Sequence, residues 1–176
     1  MISIRDRIAV RYAASRTRYV KKVINFNDAI KESETAVFLM PRMSMEFYLA
    51  RSVVESFMRY FRRVVLLVTE NMRELATYRS EIIVVSQADE NWLKLPKHEL
   101  ISRLHRDNFD IAFDLSFSDD IFMSYLCRRS EAKMSVGFAK ANSDYFYDLQ
   151  IRTPENVDMK KAYELLTNTI KMFKEK

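Results

Sequence analysis

Three positions, each at or near the end of an apolar run, are best placed for chemistry. The first is Pro41-Arg42-Met43-Ser44-Met45-Glu46. Ser44 can cap a following helix, which puts Glu46 in its first turn, where the helix dipole favours a carboxylate. Glu46 is therefore either a helix-start residue or a general base, and base work requires a cleft around it. Arg42 in the same loop can hold an acidic or phosphorylated group. The second stretch is Asp114 followed by Ser116, Ser118, Asp119 and Asp120. These groups can contact a hydroxylated ligand, and turn and capping chemistry explains them equally well. The third is Gly137, where the backbone needs either an unusual angle or a close approach.

Other candidates are single residues. His98 and His105 lie seven apart on one helical pattern without a third ligand at metal spacing, so no metal site is expected. Cys127 sits in an apolar helical pattern, as a buried small hydrophobe does. Trp92 lies in a polar loop, as a contact residue or as a lid on the sheet edge.

Gly137 is the only glycine among 176 residues, where average usage predicts roughly a dozen. Backbone cradles for nucleotide phosphates need glycines at a strand-to-helix turn. Neither the dinucleotide fingerprint nor the P-loop can be written from this sequence, and no cofactor is expected. One cysteine permits no internal disulfide. No apolar run approaches the roughly 20 residues that span a bilayer, and the N-terminus lacks a signal-peptide pattern. A cytoplasmic protein is expected, free or peripheral to the inner face of the membrane.

Positioning these groups falls to alternating strands and helices. Runs rich in β-branched or aromatic residues predict strands at 36–40, 64–69, 82–86, 110–115 and 133–138, and an edge strand at 146–151. Val64-Val65-Leu66-Leu67-Val68 is apolar on both alternating faces, as in a parallel sheet covered by helices on both sides. Helical spacing predicts helices over 47–61, 97–106, from a Ser118 cap to about 129, and over 157–173. The β-α-β-α order predicts a single Rossmann-like, doubly wound, mainly parallel sheet of five to six strands over residues 35–176. Strand order is not encoded in these local patterns.

Residues 1–34 form a basic amphipathic helical arm ahead of that domain. Up to Lys22 there are seven basic residues against one acid, a net +6 of the chain's +5, so the body carries −1. A near-neutral body argues against nucleic acid as a partner. Ile4, Ile8, Tyr12, Tyr19 and Val23 share one helical stripe, with Arg7, Arg11, Arg18 and Lys21 on another face. Either this stripe packs on the domain behind a solvated basic face, or residues 1–22 lie on an anionic membrane surface.

The segment Asn108-Phe109-Asp110-Ile111-Ala112-Phe113-Asp114-Leu115, a helix, then Ala132-Lys133-Met134-Ser135-Val136-Gly137-Phe138 resembles the N-terminal half of glycosyltransferase family 9. These are the lipopolysaccharide heptosyltransferases and their relatives, which carry a "yDlaiDLq" strand, a helix and an "akrriGf" strand in this order. Residues 36–68 can be laid on that family's opening strand–helix–strand unit. On that register Glu46 falls where the family has an acceptor-activating aspartate, and Met45 replaces the preceding glycine. The resemblance spans roughly residues 35–138. It implies the acceptor-side half of a two-lobed glycosyltransferase, with Glu46 as base and Arg42, Ser44, Asp114, Ser116 and Gly137 around the substrate. In that family the donor-binding lobe follows in sequence; here the domain is expected either to pair with a separate donor-binding chain or to be vestigial.

Two functional readings follow. One is a glycosyltransferase-like acceptor domain of cell-envelope saccharide synthesis, taking a saccharide or lipid-linked acceptor and not catalytic alone. The other is a non-enzymatic binding or scaffold domain that self-associates, or uses its basic helix on a membrane or protein.

Overall fold

The computed structural model describes residues 4–17, 24–76 and 80–175. Its chain order is α1 (Ile4–Arg16), α2 (Phe26–Lys31), β1 (Thr35–Leu39), α3 (Ser44–Phe57), β2 (Arg63–Thr69), β3 (Glu81–Val85), α4 (His98–Asp107), β4 (Ile111–Asp114), α5 (Ile121–Arg129), β5 (Met134–Phe138), β6 (Leu149–Ile151) and α6 (Met159–Lys174). The six strands form one sheet in the order β3-β2-β1-β4-β5-β6, and every pairing is parallel. This is the Rossmann-like arrangement, with its order reversal between β1 and β4.

Strand alternation sends two sets of side chains to opposite faces. Phe38, Leu66, Phe113 and Val136 pack beneath α2, α3 and α6, while Val37, Leu67 and Ala112 pack beneath α1, α4 and α5. In the first layer the Phe38 and Phe113 rings stack at 4.8 Å, with Phe57 and Phe61 closing around them. Each such buried ring contributes roughly 2–3 kcal/mol. No helix among the described residues is long and apolar enough to cross a membrane.

At the amino edge of the sheet, Asp110 ties three strands together. Its carboxylate accepts from the Glu34 and Thr35 backbone N–H groups, both at 2.9 Å, from the Thr35 hydroxyl at 3.0 Å, and pairs with Lys133 at 2.7 Å. Burial works against its charge, but Lys133 and the two backbone donors outweigh it and hold the carboxyl at about 2, below its ordinary 3.8. A depressed folded-state pKa adds stability above the unfolded value that is lost as pH falls. Asp110→Asn is therefore expected to flatten the drop in thermal stability between about pH 4 and pH 2. An unchanged acid limb in the variant would refute this assignment.

Several local expectations are corrected. Asp120, not Ser118, caps α5: its side chain accepts from the Phe122 and Met123 N–H groups. At α3 the cap position is Met43, with no side-chain cap bond, and Ser44 is the first helical residue. Gly137 is not at positive φ, which leaves close approach of the two alternatives; among the described residues that backbone region is taken by Lys94, Asn108, Glu131, Asn142 and Asn156. Three asparagines there fit the tolerance of short amide side chains for this conformation. In α1 the inner face is Ala9, Ala13 and the adjoining Thr17, whereas Ile4, Ile8 and Tyr12 of the expected apolar stripe face outward. Arg18, Tyr19, Lys21, Lys22 and Val23 lie outside the described residues.

Candidate functional site

In an open parallel sheet, ligands gather outside the carboxyl ends of the strands, at the order reversal. Here that crevice lies between the segment after β1 (Met40–Met43) and the segment after β4 (Leu115–Asp120). Two bridges cross it. Arg42 donates from Nε to Asp120 Oδ2 at 2.7 Å, from a terminal nitrogen to Asp120 Oδ1 at 3.1 Å, and from the other to Glu90 at 2.6 Å. Its guanidinium also lies over the Phe122 ring. Burial opposes the charge of Arg42, but Asp120 and then Glu90 outweigh it and raise its pKa.

Glu46 makes the second bridge from the first turn of α3. It is 1% exposed. Its Oε2 accepts from Phe117 N–H at 3.0 Å, and its Oε1 accepts from the N–H of Ser118 at 3.2 Å and from the Ser118 hydroxyl. Both carboxylate oxygens thus hold the loop after β4. A base that takes a proton from a sugar hydroxyl needs a free oxygen directed at that hydroxyl.

Behind this loop is a buried polar cluster. Asp114 is fully buried at the end of β4 and accepts from Ser116 N–H at 2.9 Å, from Ser124 Oγ at 3.1 Å and from the Tyr147 hydroxyl at 2.5 Å. Lys140 Nζ stands 3.5 Å from it and donates to the carbonyls of Ser116 and Ser118. Burial, then the Asp114 charge, pushes the Tyr147 phenol well above its usual range, so it remains a donor. Gly137 lies beneath the Tyr147 ring. Close approach is therefore its reason for being glycine. On the neighbouring helix, burial followed by the charges of Asp114 and Asp148 pushes the Cys127 thiol well up, which leaves it inert.

Open space lies to either side of the bridged crevice. A cavity of about 1050 Å³ opens over β2 and β3, lined by Thr69, Asn71, Gln87, Asn91, Trp92 and Arg42, among others. A smaller one of about 390 Å³ opens on the other side, between α1 and the loops after β4 and β5. Arg5, Arg42 and Lys94 border both. In the larger cavity the Thr69 hydroxyl is buried without a hydrogen-bond partner, and Trp92 stands at the lip, 76% exposed.

Of the six residues that the resemblance puts at the site, Arg42 alone lines either cavity; Glu46, Asp114, Ser116 and Gly137 lie behind the loops, and Ser44 is exposed on α3, while Trp92, Asp119 and Asp120, also noted from sequence, do line one. Ser116 is buried, and its hydroxyl is also without a partner. His105 Nε2 meets the Arg129 carbonyl at 2.5 Å, and His98 sits near Ser102, so the two imidazoles have separate roles. Thr69, Asn71, Gln87 and Asn91 were not foreseen. Their signal was present, because each lies at or shortly after the carboxyl end of β2 or β3, but nothing local separates them from ordinary turn residues.

The family described as "Family of unknown function (DUF6913)" matches residues 21–173. None of the curated proteins compared matches the chain. Among solved structures, the chain is similar to the glycosyl transferase family 9 protein of Veillonella parvula DSM 2008. The TM-score is 0.50 at 15% identity, over 81% of this chain and 42% of that one. The likeness is one of fold, a glycosyltransferase-like Rossmann-type sheet, and this chain spans well under half of that protein's length.

Proposed function

The chain belongs to the DUF6913 family, and from that premise we propose that it is a glycosyltransferase-like acceptor-side domain that binds a saccharide without transferring one unaided. The saccharide class is that of cell-envelope, lipopolysaccharide-type sugars, free or lipid-linked. Transfer would call for a donor-binding lobe.

The observation that carries this reading is the lining of the β2–β3 cavity. An exposed indole beside a threonine hydroxyl and three amide side chains offers a flat apolar contact ringed by hydrogen-bonding groups. The unpartnered Thr69 hydroxyl leaves a buried polar atom for a ligand to satisfy. Arg5 and Lys94 on the rim suit an acidic or phosphorylated sugar. The crevice at the order reversal is meanwhile occupied by the Arg42 and Glu46 bridges, which supports binding without catalysis.

Trp92 is the sole tryptophan, so intrinsic fluorescence reports on the cavity lip alone. Titration with neutral and acidic hexoses and heptoses is expected to shift its emission saturably for at least one acidic sugar. Trp92→Phe, followed by calorimetry, should retain that binding. Trp92→Ala should weaken it at least about fivefold, since an aromatic contact is worth roughly 1 kcal/mol beyond its area. A flat emission response across the whole panel would remove the saccharide reading.

A further inference from the structure

α1 turns its largest apolar side chains away from the protein. Ile4 is 78% exposed, Ile8 46% and Tyr12 40%, whereas the inner face is made of Ala9, Ala13 and the adjoining Thr17. At 100° per residue the two isoleucines and Tyr12 form one outward stripe. Arg7 and Arg11 flank it on one side, with Arg5 and Arg16 on the other, and all four are exposed. The one carboxylate of the helix, Asp6, is half-exposed on the inner flank and pairs with Arg5 at 3.9 Å, which leaves Arg7, Arg11 and Arg16 as the main cationic border. An apolar centre between two cationic borders is the pattern of a helix that lies in a bilayer interface, with its arginines at the headgroups and its apolar residues just below them.

We propose that α1 docks this domain flat on an anionic lipid surface through Ile4, Ile8, Tyr12 and the flanking arginines. Charge chooses the occupant. A second copy would present the same arginines and repel this face, so self-association through α1 is disfavoured. A bare polyanion would satisfy the arginines and leave both isoleucines in water. Anionic lipid satisfies both parts. The proposal rests on Ile4, Ile8, Tyr12, Arg7 and Arg11 of α1; Arg5 also borders the β2–β3 cavity, and the variants that test the proposal leave Arg5 in place.

The test is co-sedimentation of the full chain with vesicles of phosphatidylcholine alone, or with about one-third phosphatidylglycerol, at low and high salt. Binding is expected only to the anionic vesicles, with most of it released at high salt. Each arginine near such a surface adds about fivefold to partitioning, so Arg7→Gln with Arg11→Gln should lower it about 25-fold. Ile4→Ser with Ile8→Ser should lower it at least about tenfold. Both pairs leave the melting temperature unchanged, because these side chains are exposed. No binding to anionic vesicles at low salt overturns the proposal. So does a loss confined to the arginine pair, which reduces the face to a generic polyanion patch. Concentration-dependent dimerisation abolished by the isoleucine pair would give the face to a second copy, and would equally overturn it.

Discussion

Gly137→Ala is expected to cost about 3 kcal/mol, enough to lower the melting temperature by roughly 6–12 °C in a domain of this size. A Cβ at that position would meet Tyr147 Cζ at 2.5 Å and Cε1 and Cε2 at 2.7 Å. The ring cannot simply swing aside, because Tyr147 is buried and its hydroxyl donates to Asp114 and bonds Ser124 Oγ at 2.7 Å. Moving it adds the cost of a buried carboxylate and hydroxyl left unpaired, roughly 1–3 kcal/mol, to the overpacking itself. Tyr147→Leu should cost about 2 kcal/mol alone. Adding it to Gly137→Ala should return more than about 1 kcal/mol, measured as a double-mutant cycle in urea. A Gly137→Ala protein that melts within about 2 °C of the parent would show that the ring has room, and the account would fail.

Glu46→Gln is the second variant with a large expected effect, about 2 kcal/mol, and Glu46→Ala should lose about 3. The carboxylate receives two backbone N–H groups and one hydroxyl from Phe117 and Ser118. A glutamine must turn its NH2 toward one of these donors, which leaves that partly buried donor without its carboxylate partner. Amide exchange at Phe117 and Ser118 should accelerate in step with the loss of stability, while saccharide binding at Trp92 persists. The family resemblance predicts something different, a base whose conversion to glutamine abolishes transfer and leaves the fold unaffected. Unaltered unfolding together with abolished transfer would restore the catalytic role.

Much of the fold could be read locally. The five longer runs became strands within a residue or two of the expected bounds; for the four central ones the reason is that continuous apolar, β-branched segments can only be satisfied between two helical layers, while β3 lies at an edge. The last run is instructive where it differs. Residues 146–151 look like one strand, yet only Leu149–Ile151 pairs. Phe146 and Tyr147 are buried instead, Tyr147 over Gly137, a contact invisible without β5 beside it. α2 was not foreseen, being a six-residue helix held by an Asn25 cap and by Ile30 in the core. In α1 hydropathy pointed to the isoleucine stripe, and tertiary packing chose the alanines.

The sequence by itself determined the class of fold, the strands that would be buried on both faces, and the concentration of positive charge in the first 22 residues. The scarcity of glycine, likewise, leaves neither the dinucleotide fingerprint nor the P-loop to be written from this sequence. These are properties of composition and of short-range periodicity, which act through propensity and burial. Only the tertiary structure decided the strand order and the fate of the polar side chains at the carboxyl edge. Arg42 meets Asp120 across 78 positions and Glu46 meets Phe117 across 71. A carboxylate or guanidinium looks the same in sequence whether it faces a ligand or its own chain. The difference lies in which distant donors and acceptors the folded sheet brings within 3 Å, and that depends on the crossover paths rather than on any local pattern.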